Sequence, residues 1–175
     1  MAKKDKSDTA KQSTPVTGLD ENEPHVRVVA QYVKDLSFEN PNAPQTFQTM
    51  GNEKPKIDVS VNVNGKKVAD DHLEVELKLS ATASHGDSKA FVVELVFAGL
   101  FMYRNIPDEM LQPFILVQAP ILLFPFARRI VADATRDGGY PPLLLDPIDF
   151  AALYQQKAQQ TSTDDASVGE KPVAN

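Results

Sequence analysis

A change of period near residue 105 limits this chain's folding more than any other feature. Up to that point apolar side chains recur at every second residue; beyond it they recur at every third or fourth. In a first run, Val26, Val28, Ala30, Tyr32, Leu36 and Phe38 share one face, with Arg27, Gln31, Asp35, Ser37 and Glu39 on the other. Ile57, Val59, Val61 and Val63 alternate with Asp58, Ser60 and Asn62 in a second. Leu73, Val75, Leu77, Leu79 and Ala81 alternate with polar residues in a third. The fourth, from Ala90 to about Phe101, differs. Phe91, Val93, Leu95 and Phe97 fill one face, yet Val92, Val96 and Ala98 also occupy the second, around the charge of Glu94. Both faces are then covered, or one is a docking surface. Strands first and helices afterwards predict an α+β fold, a four-stranded antiparallel sheet with a long helix and a C-terminal helix packed on one face.

The connections refine this. Asn40 to Pro55 is too long and too rich in proline for a tight hairpin, so the chain is expected to cross over to a non-adjacent place in the sheet. Asn64-Gly65 is a hairpin signal, but the polar residues after it favour a bulge there and a reversal near Asp70-Asp71. Asn105 to Gln118 reads as an irregular helical connection broken at Pro113. The long helix then runs from Ala119 to about Asp137, with Gly138-Gly139 as a left-handed stop. Pro120 and Pro125 fit if both lie in or before its first turn. That opening is apolar on every side, so it needs a cover beyond its own sheet. An oligomer contact through Val93, Leu95, Phe97, Leu123, Phe124 and Phe126 is expected. Asp146-Pro147 reads as N-cap and first position of a last helix reaching about Gln160. Residues 1–24 and 161–175 have few large apolar side chains and read as disordered tails around a folded part of about 25–160.

Composition narrows function mainly by exclusion. The net charge of −6 argues against a nucleic-acid partner. The chain has no cysteine, and its charged start, Met1 to Lys6, shows no secretory signal. The longest greasy run, Pro113 to Ala127, falls short of a bilayer's ~30 Å core, so the reading is a soluble cytoplasmic protein without membrane insertion. Neither a glycine-rich phosphate loop nor a nucleophile elbow occurs. Asp70-Asp71-His72-x-Glu74 can be drawn as a metal site, but a solvated hairpin reads the same way. Asp35 and Glu39 lie roughly 13 Å apart along a strand, beyond the about 5–9.5 Å of a carboxylate pair acting on one bond. No enzyme and no cofactor is expected.

An ordered set of segments carries a resemblance. These are Tyr32-x-Lys34-Asp35-Leu36-Ser37-Phe38-Glu39-x-Pro41-Asn42-Ala43-Pro44, Ala69-Asp70-Asp71 leading into Glu74-Val75, and Ala90-Phe91-x-x-Glu94. Pro120-x-x-Leu123-Phe124-Pro125-Phe126-Ala127-Arg128 follows, then Pro141-x-Leu143-x-Leu145-x-Pro147-x-Asp149-Phe150-x-Ala152-Leu153-Tyr154. Together they resemble the SecB protein-export chaperone family. The resemblance implies a crossover loop after the first strand and a homotetramer built as a dimer of dimers. It further implies an ATP-independent holdase that binds unfolded precursor proteins and delivers them to the SecA translocation ATPase. It assigns SecA docking to Asp35, Glu39, Val92 and Glu94, which fits their position off the core face of alternating strands. Clients are expected in an apolar groove between the crossover loop and the last helix, at Phe38, Phe47, Met50, Phe150, Leu153 and Tyr154. The alternative is a small-molecule carrier with an apolar pocket.

Overall fold

A computed structural model describes residues 23–49 and 54–156. Met50 and most of the two expected tails lie outside the described residues. Strand β1 spans His25–Glu39 and is followed by a short helix, α1, Gln45–Thr49. Strands β2 (Lys56–Ala69), β3 (His72–His85) and β4 (Ser88–Arg104) come next, then α2 (Asp108–Pro113), a π turn (Phe114–Gln118) and α3 (Ala119–Asp137). A last helix, α4, begins at residue 150 and is described to 156.

The four strands form one antiparallel sheet in the order β1-β4-β3-β2. Consecutive hairpins join β2 to β3 and β3 to β4, whereas β1 lies beyond β4. The segment after β1 therefore crosses the sheet to its far edge, as its length and prolines predict. Its path is fixed at the end of the β3–β4 hairpin, where the Asn42 side chain donates to the Lys89 carbonyl at 2.9 Å and to Ser88 Oγ at 3.3 Å. The core lies between α3 and one face of the two central strands. Val75, Leu77, Leu79, Val93, Leu95 and Phe101 are sealed beneath Leu123, Ala127 and Val131.

Several details depart from the sequence reading. The β1 register slips between Val28 and Ala30 and again between Val33 and Asp35. Each bulge turns the following side chains to the other face, and a second one restores the original parity. Ala30 and Tyr32, expected over the core, thus point to the opposite face, while Gln31 and Val33 replace them. Asn64-Gly65 is neither turn nor bulge. β2 runs through it in register with β3, and the reversal falls at Asp70-Asp71. The glycine is needed for close approach, because a Cβ at Gly65 would stand 2.5 Å from Ile115 of the π turn.

Pro125 lies well inside α3 rather than in a first turn, and α3 follows without a break from α2 and the π turn. Pro125 withdraws the N–H that would meet the carbonyl of Ile121, on the exposed side of the helix. The joined helices cover Asp108–Asp137, 30 residues, long and apolar enough by length and composition to cross a membrane. The greasy run Pro113 to Ala127 is thus part of a longer helical segment than the sequence reading gave it. The stripe Leu123, Phe124, Ala127 and Val131 is nevertheless buried against the sheet.

The N-cap of α4 is Asp149, whose carboxylate accepts the Ala152 N–H at 2.9 Å; Asp146-Pro147 lies in an extended strap before it. Leu143, Leu145 and Ile148 of this strap pack on the core. The Leu143 N–H donates to the buried Thr135 Oγ1 at 2.9 Å, which ties the strap to α3.

Candidate functional site

The site begins where α3 ends. Gly138 and Gly139 close the helix, the second at φ +89°, and the Tyr140 N–H donates back to the Thr135 carbonyl at 3.1 Å. The two glycines also admit two rings. A Cβ at Gly138 would stand 2.2 Å from Phe38, and one at Gly139 3.1 Å from Phe47. Tyr140 gathers these aromatics, its ring centroid 4.9 Å from Phe91, 5.4 Å from Phe47 and 6.5 Å from Phe38. Phe38 is half-buried in this cluster and Phe47 is 39% exposed.

Beside the cluster lies an open depression of about 270 Å³, lined by Ile57, Phe91, Tyr140, Pro142 and Leu143 among others. A second, about 50 Å³, lies between Val61 and Val63 on one side and Leu116, Phe150, Leu153 and Tyr154 on the other. Ile57, Val59, Val61 and Val63 share one face of β2, an edge strand, and Val59 between the two depressions is exposed. The result is an apolar trough along β2, walled by the strap and α4, spanning roughly 20 Å from Ile57 to Val63 at strand rise.

The expected client residues thus fall into two groups, Phe38 and Phe47 at one end and Phe150, Leu153 and Tyr154 at the other. Phe150 is 2% exposed and edge-on to Phe124 at 6.0 Å, so it is chiefly core with one edge at the second depression. The β2 side chains and Tyr140 were missed. The alternation of β2 marked a core face, but nothing local says that a strand will stand at an edge with that face uncovered.

Of the six residues expected at an oligomer contact, Val93, Leu95, Phe97, Leu123 and Phe124 are buried within the single chain. They are core, because α3 lies directly over β4. Phe126 is 48% exposed, together with Ile121 and Leu122 on the outward face of α3. Phe126 stacks on Phe97 at 6.4 Å, and Phe97 is the cross-strand partner of Val33. The exposed aliphatics Val28, Val33 and Leu36 of β1 lie on the same face of the sheet, paired with Phe101, Phe97 and Leu95 of β4.

The other face of the sheet is different in character. Glu39 lies opposite Val92 and Ser37 opposite Glu94, which brings Asp35, Glu39, Val92 and Glu94 together on the side away from the helices. Next to them is an ionic network that the sequence reading did not contain. The Lys34 ammonium donates to Glu74 at 2.8 Å and also to Glu76, and the Tyr32 hydroxyl donates to Glu74. Lys34, and then Tyr32, hold the Glu74 carboxyl below the ordinary range, and that carboxylate in turn raises the Tyr32 hydroxyl. Bonding to the two glutamates raises Lys34. One lysine offsets only part of the charge of Glu74 and Glu76, and Asp35 and Glu39 stay exposed beside the network. Glu74 is therefore engaged away from His72, which pairs with Asp71 at 2.6 Å. Among the described residues no three of His, Cys, Asp and Glu converge on a metal position.

Known proteins decide the family. The sequence model described as preprotein translocase subunit SecB matches residues 19–161. The chain belongs to the SecB family. A protein-export protein SecB of Rhizorhabdus wittichii is 54% identical over 145 residues, 83% of this chain and 86% of that one. A second, of Sphingopyxis alaskensis, is 51% identical over 140 residues, 80% of each chain. The fold is also that of a SecB-like chaperone from Mycobacterium tuberculosis, solved with a peptide of an antitoxin. There the TM-score is 0.56 at 16% identity, covering 70% of this chain and 90% of that one. SecB is a chaperone family, and this SecB-family chain has its four-stranded sheet, its crossover after β1 and its helices on one face.

Proposed function

We infer that this chain is an export chaperone: it holds precursor polypeptides that have not folded and passes them to the SecA ATPase. The observation that carries this reading is the trough between β2 and the strap, apolar, open and longer than any compact ligand needs. Extended chain points every second side chain to one face, so two apolar depressions spaced along a strand suit a client whose apolar residues fall there. A small-molecule carrier draws no support from the relatives named above. The protein works in the cytoplasm without ATP, as a homotetramer in which the exposed α3 and β1 patch is covered by further copies. Aggregation of a refolding client, followed by light scattering, should fall when the chaperone is added, and ATP alone should not release the client. Undiminished aggregation, or release by ATP, would count against the reading.

Client contact is assigned to both ends of the trough. Converting Phe47 and Tyr154 together to Ala should weaken binding of an unfolded client by roughly ten- to a hundredfold, about 0.7–1.4 kcal/mol per ring. Unchanged affinity would remove both from the groove.

SecA docking is assigned to Asp35, Glu39, Val92 and Glu94. Asp35→Asn with Glu94→Gln should abolish SecA capture and leave aggregation suppression intact. Salt should weaken the SecA contact far more than client holding. Equal loss of both activities would mean a single shared site.

A further inference from the structure

Tyr140 stands where helix, sheet and crossover meet. Its hydroxyl lies 2.7 Å from Asn40 Oδ1, 2.9 Å from the Ala90 carbonyl oxygen and 3.0 Å from Thr46 Oγ1. A phenol has one proton to give and lone pairs to receive with. Asn40 Oδ1 and the Ala90 carbonyl both accept from it, and the Thr46 hydroxyl, which also reaches the Asn42 carbonyl at 3.4 Å, is a third partner that can give or receive. The Asn40 amide group also donates to the Gly138 carbonyl at 3.4 Å. Asn40 opens the crossover and Thr46 lies in α1, so one buried hydroxyl pins the stretch 40–46 at both ends to β4 and to the end of α3. The ring of the same residue lines the first depression and supports the exposed Phe47.

We propose that the Tyr140 hydroxyl is a latch that holds the crossover against the end of α3, and thereby sets how long a client stays in the first depression. The proposal rests on the client-holding function inferred above. The two parts of Tyr140 are separable: the ring is a contact, and the hydroxyl is a positioning group. Removing the oxygen leaves the apolar lining intact but takes a partner from three polar groups, two of them on the crossover. Local opening of that segment becomes more frequent. Phe47 then leaves its place beside the ring more often, and a bound chain escapes sooner.

The test is Tyr140→Phe in the full chain. Hydrogen exchange without client should quicken about tenfold in residues 42–49 and stay unchanged in β3 and α3. With a reduced, carboxymethylated and fluorophore-labelled unfolded protein as client, the dissociation rate should rise about tenfold and the association rate change less than about twofold. Unchanged exchange in 42–49 would overturn the latch. So would faster exchange with an unaltered dissociation rate, or a uniform rise across β3 and α3. If the wild-type protein fails to retain the labelled client, the holding function fails, whereas the exchange comparison still decides whether the hydroxyl secures the crossover.

Discussion

Ile121→Asp combined with Phe126→Asp should take the proposed homotetramer apart and leave the chain folded. Both side chains are about half exposed in the single chain, so their replacement removes little from its core. In a contact between copies, each carboxylate would be drawn out of water against an apolar face with no cation to meet it. That costs several kcal/mol per site, on the order of 3 or more. In a symmetric assembly the change is repeated in every copy. Association should weaken by at least about 10⁴-fold, and the mass in solution should fall toward the 19.2 kDa of one chain. Circular dichroism should retain its strand and helix signals. Light scattering with an unaltered mass at micromolar concentration would place the contact elsewhere.

Leu123→Ala, at the neighbouring turn of the same helix, should do the opposite. Leu123 is fully buried between α3 and the central strands. Truncating such a leucine leaves a cavity that the sheet cannot close, at a cost of about 3–5 kcal/mol. Urea unfolding at fixed chain concentration should show the midpoint falling in proportion, with the slope unchanged. A shift below about 1 kcal/mol would mean that α3 does not pack on β4 as described. The pair of variants tests the two faces of one helix separately, Leu123 for the fold and Phe126 for the proposed contact between copies.

That helix also measures how far sequence reasoning carried. Its stripe was visible because Leu123, Ala127 and Val131 keep a 3.6-residue period, and Phe126 stood out because its turn is apolar all round. The assignment of Val93, Leu95 and Phe97 to a contact between copies failed for a definite reason. A strand with two apolar faces signals cover on both sides without naming the covering element, and one of the covers is this chain's own helix. Tyr32 failed differently. Alternation from Val26 to Phe38 looked unbroken, since two bulges cancel over the length of β1 and leave both ends in phase. The last helix was started at Asp146 because Asp-Pro is a good opening, yet Asp149 offers the same carboxylate three residues on and is the one that caps.

The amino-acid order alone determined the strands, the reversal at Asp70-Asp71, the crossover and the stop after Asp137. Each of these depends on side-chain periodicity or on backbone freedom within a few residues. The trough along β2, the gathering of Phe38, Phe47 and Phe91 about Tyr140, and the ion network around Glu74 were decided by the tertiary structure. They join groups forty to a hundred positions apart in the chain, and no short-range pattern records which distant segment will arrive to cover a strand or leave it open.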